Sequence, residues 1–393
     1  MRKTIILLLA AAILGAAPQT PPEEPELSAR CAVLMGPEGQ ILYERNAHER
    51  CLIASTTKLM TALVAWEHSD PEDAVEVPAA CCGIEGSSLY LTPGQQCTVG
   101  ELMTGMLLAS GNDAAAALAR HCAGSEESFA AWMNEKARAL GMSDSHFCNP
   151  HGLNAENHYG SAADLARLMA ACMEVPELAE ILRKSSATVC GQALANHNKL
   201  LWRCPGCLGG KTGYTQAAGR CLVSCCEREG TRLYCVTLNA PDDWNDQIAL
   251  YDWGFARYET RSVTETLRYR VPLINGESDC IELRADPLLL FLPRDAALSL
   301  QVELPRFVFA PVREGECCGR VRVLREGAEL GCAALRFARS DGAAANSGRE
   351  NHDPETAENH RGVRPDGPAE SGGGHRLRPS LRQRPDCPAG RQR

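Results

Sequence analysis

The sequence predicts a mixed α/β (α+β) domain, then a small all-β sandwich, then a tail without a core. Three observations carry this. Two strand-forming runs near the start and two more after residue 219 enclose a long stretch of helical pattern. Beyond residue 261 the chain breaks into short alternating runs parted by turn residues, with no helical period among them. Beyond residue 339 the apolar pattern stops. The chain has 393 residues, 45% hydrophobic and 23% charged, enough for more than one core. A net charge of −9 argues against a general nucleic-acid binder. Its apolar runs are shorter than the roughly 18 residues a membrane-spanning helix needs.

Residues 1–17 have the pattern of a secretory signal: Arg2 and Lys3, an apolar run from Ile5, then the small residues Gly15, Ala16 and Ala17. Residues 18–27, rich in Pro and Glu, form a linker. The first domain is expected over 28–260. A hairpin is expected over 32–43, turning at Gly36-Pro37-Glu38-Gly39. Leu59, Leu63 and Trp66 share one face of a helix over 55–67. Helices follow over 99–108, 113–121 and 125–140, the last closed by Gly141, and over 161–172 behind a capping Ser161. Strands are expected at 220–226 and 233–238, then a helix over 245–258.

The all-β sandwich is expected over 261–338, with five or six short strands between turns such as Asn275-Gly276. Residues 339–393 form the tail. From residue 341 on, nine Arg nearly balance eight acidic residues, and only Val363, Leu377 and Leu381 are large aliphatics. Such a segment cannot bury enough apolar surface to order itself. It has no amphipathic face for a membrane surface.

Twenty cysteines are many for this length. Export favours disulfides, but a domain this large has no need of staples, and Cys122 and Cys172 sit in helical patterns where Cys packs as a small apolar residue. Mostly free, buried thiols are expected. Cys204-Pro205-Gly206-Cys207 has metal-ligand spacing, and Cys221 with Cys225 would complete four ligands; a plain turn is the preferred reading and no metal is assigned.

Three short motifs carry chemistry. Ser55-Thr56-Thr57-Lys58 opens a helix, and i to i+3 spacing puts the Ser hydroxyl and the Lys amine on one face. A neutral Lys there can take the proton from the hydroxyl and make it a nucleophile. Ser110-Gly111-Asn112 breaks two helical patterns, which sets a hydroxyl and an amide on a loop tip. Lys211-Thr212-Gly213 enters a strand: the Lys and Thr suit a substrate carboxylate, and Gly213 admits a close backbone. Each alone is an ordinary helix start, helix break or turn. Their combination in this order is specific.

The motifs and their surroundings, from Ile53 through Leu63, Ala109 through Ala115, Phe147-Cys-Asn-Pro-His-Gly-Leu153, Asn196-His-Asn-Lys-Leu-Leu201 and Gly209 through Gly219, resemble the serine-type D-Ala-D-Ala carboxypeptidases, the low-molecular-weight penicillin-binding proteins. The resemblance covers residues 28–258, and the β-rich segment after it looks like that family's second domain. It implies a β-lactamase/transpeptidase-like domain with a central antiparallel sheet flanked by helices. It implies removal of the terminal D-Ala from peptidoglycan pentapeptide stems, and covalent binding of β-lactam antibiotics such as penicillin. Ser55 would be the nucleophile, Lys58 its base, and Ser110 the proton relay to the leaving amine. Asn112 would bind the substrate amide, and Lys211, Thr212 and Gly213 the terminal carboxylate and backbone. Backbone N–H groups of Ser55 and Tyr214 would form the oxyanion hole. No cofactor or metal is implied.

His151 is read as part of a fixed turn, since Lys58 already supplies a base. The alternatives are a D-Ala-D-Ala endopeptidase, a class A-like β-lactamase and a penicillin-binding sensor without turnover. The E-x-x-L-N string that class A β-lactamases use for deacylation is absent. The expected location is extracytoplasmic: secreted, in the wall, or peripherally associated with the outer membrane leaflet.

Overall fold

Apolar side chains on both faces of residues 219–238 build two buried strands, Gly219–Arg228 and Thr231–Leu238. They are joined at Glu229 and Gly230, both at positive φ (49° and 73°), as a tight hairpin turn requires. The computed structural model describes residues 5–9, by their backbone, and 23–344. The two strands are the fourth and third of a five-stranded sheet in the order Ile41–Arg45, Cys31–Met35, Thr231–Leu238, Gly219–Arg228, Cys207–Thr215, antiparallel throughout. Cys207–Thr215 is an edge strand and carries Lys211, Thr212 and Gly213.

The two-residue period of a strand divides the sheet between two cores. Cys221, Val223 and Cys225 face the helices of the central insert, whereas Leu222 and Cys226 face a second core under the helix Asp243–Arg257. The sheet is thus covered on both sides.

The insert contains Lys58–His68, Val99–Leu108, Asn112–Ala123, Glu126–Ala139, Ala162–Met173 and Pro176–Arg183. Three begin at side-chain caps. Thr98 and Glu101 form a reciprocal capping box, Ser125 accepts from Ser128 N–H, and Ser161 accepts from Asp164 N–H; such caps stabilise a helix by about 1 kcal/mol each. The helices expected over 99–108, 113–121, 125–140 and 161–172 are all present, with ends shifted by a residue or two. Pro176–Arg183 and the hairpin Ser186–Val189 with Gln192–Ala195 were not expected.

Asn112–Ala123 runs through the middle of the insert, packed on Lys58–His68, Val99–Leu108 and Glu126–Ala139. Residues 114–119 have no exposed surface, and five of the six are alanine. A helix apolar all round belongs in an interior.

Among the described residues from Tyr258 on there are strands and turns but no helix, with eight strands where five or six were expected. Seven strands form one sheet, and Tyr258–Ser262 pairs with Leu289–Pro293 in a separate ribbon. Val263, Leu292 and Val323 close the core between them, with Leu288, Leu290 and Leu300 around it. Ala328–Phe337 escaped the sequence pattern because its first half lacks alternating large side chains. The seventh strand of that sheet is Ile5–Leu9, antiparallel to Ser299–Leu304. It falls within the expected leader, the rest of which lies outside the described residues. Residues 341–344 still bond to the strand region, Asp341 with Val312 and Ala344 N–H to Asn275 O. The expected tail beyond 344 lies outside the described residues.

Candidate active site

A single 3-10 turn, Ala54–Thr57, feeds directly into Lys58–His68. It puts Ser55 half-buried at the cleft and Lys58 wholly inside. The turn is held in an unusual shape: Ala54 has φ +46°, a region costly to a residue with a side chain. Behind it Gly152, at φ +87°, lies so close that a Cβ there would sit 2.0 Å from the Ala54 carbonyl oxygen. Thr57 Oγ1 is fixed by its own bonds to Ala54 O (2.8 Å) and His158 Nε2 (2.8 Å).

Lys58 Nζ has three partners: Ser55 Oγ at 2.8 Å, Asn112 Oδ1 at 2.7 Å and the His151 carbonyl at 2.7 Å. Two of the three are oxygens that only accept. Asn112 is oriented by donating its Nδ2 to Glu85 O at 2.5 Å. A neutral amine has two N–H bonds and one lone pair. The N–H bonds satisfy Asn112 and His151, and the lone pair is left for the one partner that can donate, the Ser55 hydroxyl. The environment favours that neutral form. Burial first, then the charge of Lys211, hold the Lys58 pKa well below its usual value, against a smaller opposing effect of Asp113.

Ser110 sits at the break between Val99–Leu108 and Asn112–Ala123 with φ +66°. This turns its hydroxyl toward Lys211, whose Nζ donates to Ser110 Oγ at 3.0 Å and to Thr212 O at 3.0 Å. Burial lowers the Lys211 pKa to about 7. Thr212 is half-buried on the same edge strand, and the Tyr214 side chain is exposed. Gly213 brings this strand against the Ser55 turn: a Cβ there would meet Ile53 O and Ser55 N at 3.0 Å. The structure therefore brings together Ser55, Lys58, Ser110, Asn112 and Lys211, with Gly213 against the Ser55 turn and Thr212 and the backbone of Tyr214 on the same strand.

The His151 ring faces away from the amine. Nε2 lies 3.5 Å from Glu126 Oε2, and Nδ1 accepts from Leu153 N–H at 3.2 Å. Its part in the cluster is played by its carbonyl. Sequence reading missed three supports. Asp113, fully buried, accepts from Leu89 N–H, Leu91 N–H and Ser88 Oγ–H, which ties down the loop that orients Asn112. Glu126 holds His151, and His158 holds Thr57. Only Asp113 had a signal, its place directly after Ser110-Gly111-Asn112.

The four-thiol grouping of Cys204, Cys207, Cys221 and Cys225 does not form. Cys226 Sγ lies 3.7 Å from Cys204 Sγ, while Cys221 Sγ donates to Leu52 O on the other face of the sheet. Strand alternation puts 221 and 225 opposite to 226. The nineteen described cysteines are unbridged, and nine are buried.

Residues 18–242 match the family model for D-alanyl-D-alanine carboxypeptidase. The chain is 31% identical over 325 residues to D-alanyl-D-alanine carboxypeptidase DacF of Bacillus subtilis, covering 77% of this chain and 83% of that one. It is similar to crystal structures of penicillin binding protein 5 from Haemophilus influenzae, with TM-score 0.62 and 29% identity, covering 84% of this chain and 100% of that one. It is also similar to penicillin-binding protein D2 of Listeria monocytogenes in an ampicillin-bound form, with TM-score 0.54 and 31% identity, covering 59% and 100%.

Proposed function

The chain belongs to the D-alanyl-D-alanine carboxypeptidase family and is a serine-type hydrolase of that kind; on that premise we propose how its residues divide the work. Ser55 Oγ attacks the carbonyl carbon between the two terminal D-Ala residues of a peptidoglycan pentapeptide stem, and its proton passes to Lys58 Nζ. The oxyanion is met by the N–H groups of Ser55 and Tyr214, where each donor contributes about 3 kcal/mol. Collapse breaks the C–N bond. The departing amine of D-Ala takes a proton through Ser110, and water then hydrolyses the acyl ester on Ser55. Asn112 binds the substrate amide, while Lys211 and Thr212 bind the free terminal carboxylate beside Gly213.

The observation that carries this reading is the bonding of Lys58, whose two acceptor-only partners leave its lone pair for Ser55 Oγ–H. Penicillin, whose ring amide and carboxylate mimic D-Ala-D-Ala, would acylate the same serine. The ampicillin-bound form of the Listeria monocytogenes relative supports this. The enzyme would act outside the cytoplasm, where peptidoglycan stems are exposed. The test is mass spectrometry of the penicillin adduct beside an assay of D-Ala release from a pentapeptide. An adduct on Ser55 with release is expected. An adduct elsewhere overturns the mechanism, and an adduct without release shifts the assignment to endopeptidase or sensor.

A further inference from the structure

Outside the cleft, Cys97 and Cys190 stand apart from the other thiols. Their Sγ atoms are 2.7 Å apart, although 93 residues separate them, a distance inside the contact of two unbonded sulfurs. Cys97 lies in the short strand Gln96–Thr98, and Cys190 at the tip of the hairpin Ser186–Val189 with Gln192–Ala195. The two segments are held in place without help from sulfur. Glu101 accepts from Thr98 N–H through Oε2 (3.0 Å) and from Cys190 N–H through Oε1 (3.3 Å), and Gln192 Nε2 donates to Leu89 O (3.0 Å). The choice of residue at the tip is a second, independent observation. Cys190 and Gly191 both have positive φ, 47° and 78°. The first position of such a turn favours Asn, Asp or Gly. A cysteine there accepts backbone strain, and its thiol meets Cys97.

We propose that Cys97 and Cys190 are a disulfide-forming pair that staples this hairpin to the helix leading to Ser110. The oxidant is a disulfide-bearing exchange partner, either a low-molecular-weight disulfide or an oxidised dithiol protein. One cysteine thiolate attacks it, forming a mixed disulfide and releasing one thiol. The second cysteine displaces the other thiol. Two cysteine thiols and RSSR give one cystine and two RSH, and RSSR takes up the two electrons. Cys190, only partly buried, gives the exchange partner access. The bond would close the loop that contains Ser110, Asn112 and His151. At the far end of the same helix, His197 N–H donates to Leu108 O at 3.1 Å. The helix Val99–Leu108 would then be fastened to the hairpin segment at both ends.

Full-length protein equilibrated with glutathione disulfide, alkylated and digested without reductant should yield the peptide of Cys97 joined to that of Cys190. The oxidised protein should melt several degrees above the dithiothreitol-treated protein, since closing so long a loop removes much unfolded-chain entropy. Cys190→Asn, which suits the turn, should remove most of that redox-dependent shift, and so should Cys97→Ser. Complete alkylation of both thiols after oxidation would overturn the proposal. So would zinc retained at one equivalent and lost in Cys97→Ser, since Glu101 Oε with the two sulfurs makes a metal-sized group. None of these measurements depends on catalysis, so the proposal stands or falls apart from the assignment of Ser55.

Discussion

Lys211 acts on Lys58 through space: after burial, its charge is the second cause that holds the Lys58 amine well below the usual range. In the proposed mechanism the two lysines have opposite requirements. Lys58 must be neutral to accept a proton, so activity rises with pH as it loses its own. Lys211 must be charged to hold a carboxylate, and in the free enzyme it loses its charge as pH rises through about 7. The profile of kcat/KM for a D-Ala-D-Ala peptide should therefore be bell-shaped, with Lys58 on the acid limb and Lys211 on the alkaline one. A plateau extending from pH 7 to pH 10 would contradict this assignment.

Lys211→Ala removes a charge as well as a contact. Selection of a free C-terminal carboxylate over its amide should shrink. The acid limb should also move to higher pH, because Lys58 is relieved of a neighbouring cation. The movement should be modest, burial being the larger cause. Steady-state kinetics on the acid and amide forms across pH reads both effects.

Lys58→Ala leaves Ser55 Oγ without its acceptor. Penicillin acylation should slow by about 10²–10⁴-fold or more, the usual loss with a general base. Ser55→Ala should abolish labelling. The measurement is the rate of adduct formation, with a thermal melt to show that Lys58→Ala, which removes a buried amine, still folds.

Gly152→Ala would place a methyl 2.0 Å from the Ala54 carbonyl at a φ of +87°. Strain of this sort costs about 1–3 kcal/mol, and the turn that carries Ser55 must also shift. Tm should fall by several degrees, and acylation at a temperature where the variant is folded should fall as well. A variant that melts lower but acylates at the wild-type rate would show that Gly152 does not position Ser55.

The parts of the fold governed by local pattern were legible in the sequence. Ser161 marked a helix start because capping is a short-range effect. Ala328–Phe337 was not legible, since its pairing with Cys317–Arg325 rather than its own side chains makes it a strand. In the site, the three motifs contained Ser55, Lys58, Ser110, Asn112 and Lys211, which the structure joins by hydrogen bonds. What they did not contain was the support from other segments: the Glu85 carbonyl on Asn112, the His151 carbonyl on Lys58 and the Glu126 carboxylate on the His151 ring. Carbonyl groups leave no signature in a sequence, because every residue has one. The metal-like spacing of Cys204 and Cys207 misled for a related reason. Spacing along the chain does not tell which face of a strand Cys221, Cys225 and Cys226 occupy.

The interior of Asn112–Ala123 sets a limit on how this enzyme can change. Along residues 114–119 the side chains are almost all single methyl groups with no exposed surface. Neighbouring helices therefore rest nearly on its backbone, and few side-chain torsions there can absorb a misfit. The position of Asn112 is then dictated by main-chain separations, which vary little with temperature or rotamer state. The same economy leaves no slack: one added methylene in this row must push apart whole helices. Variation that tunes substrate preference is thus channelled to the rim of the site, where the exposed Tyr214 side chain can change without moving the helix.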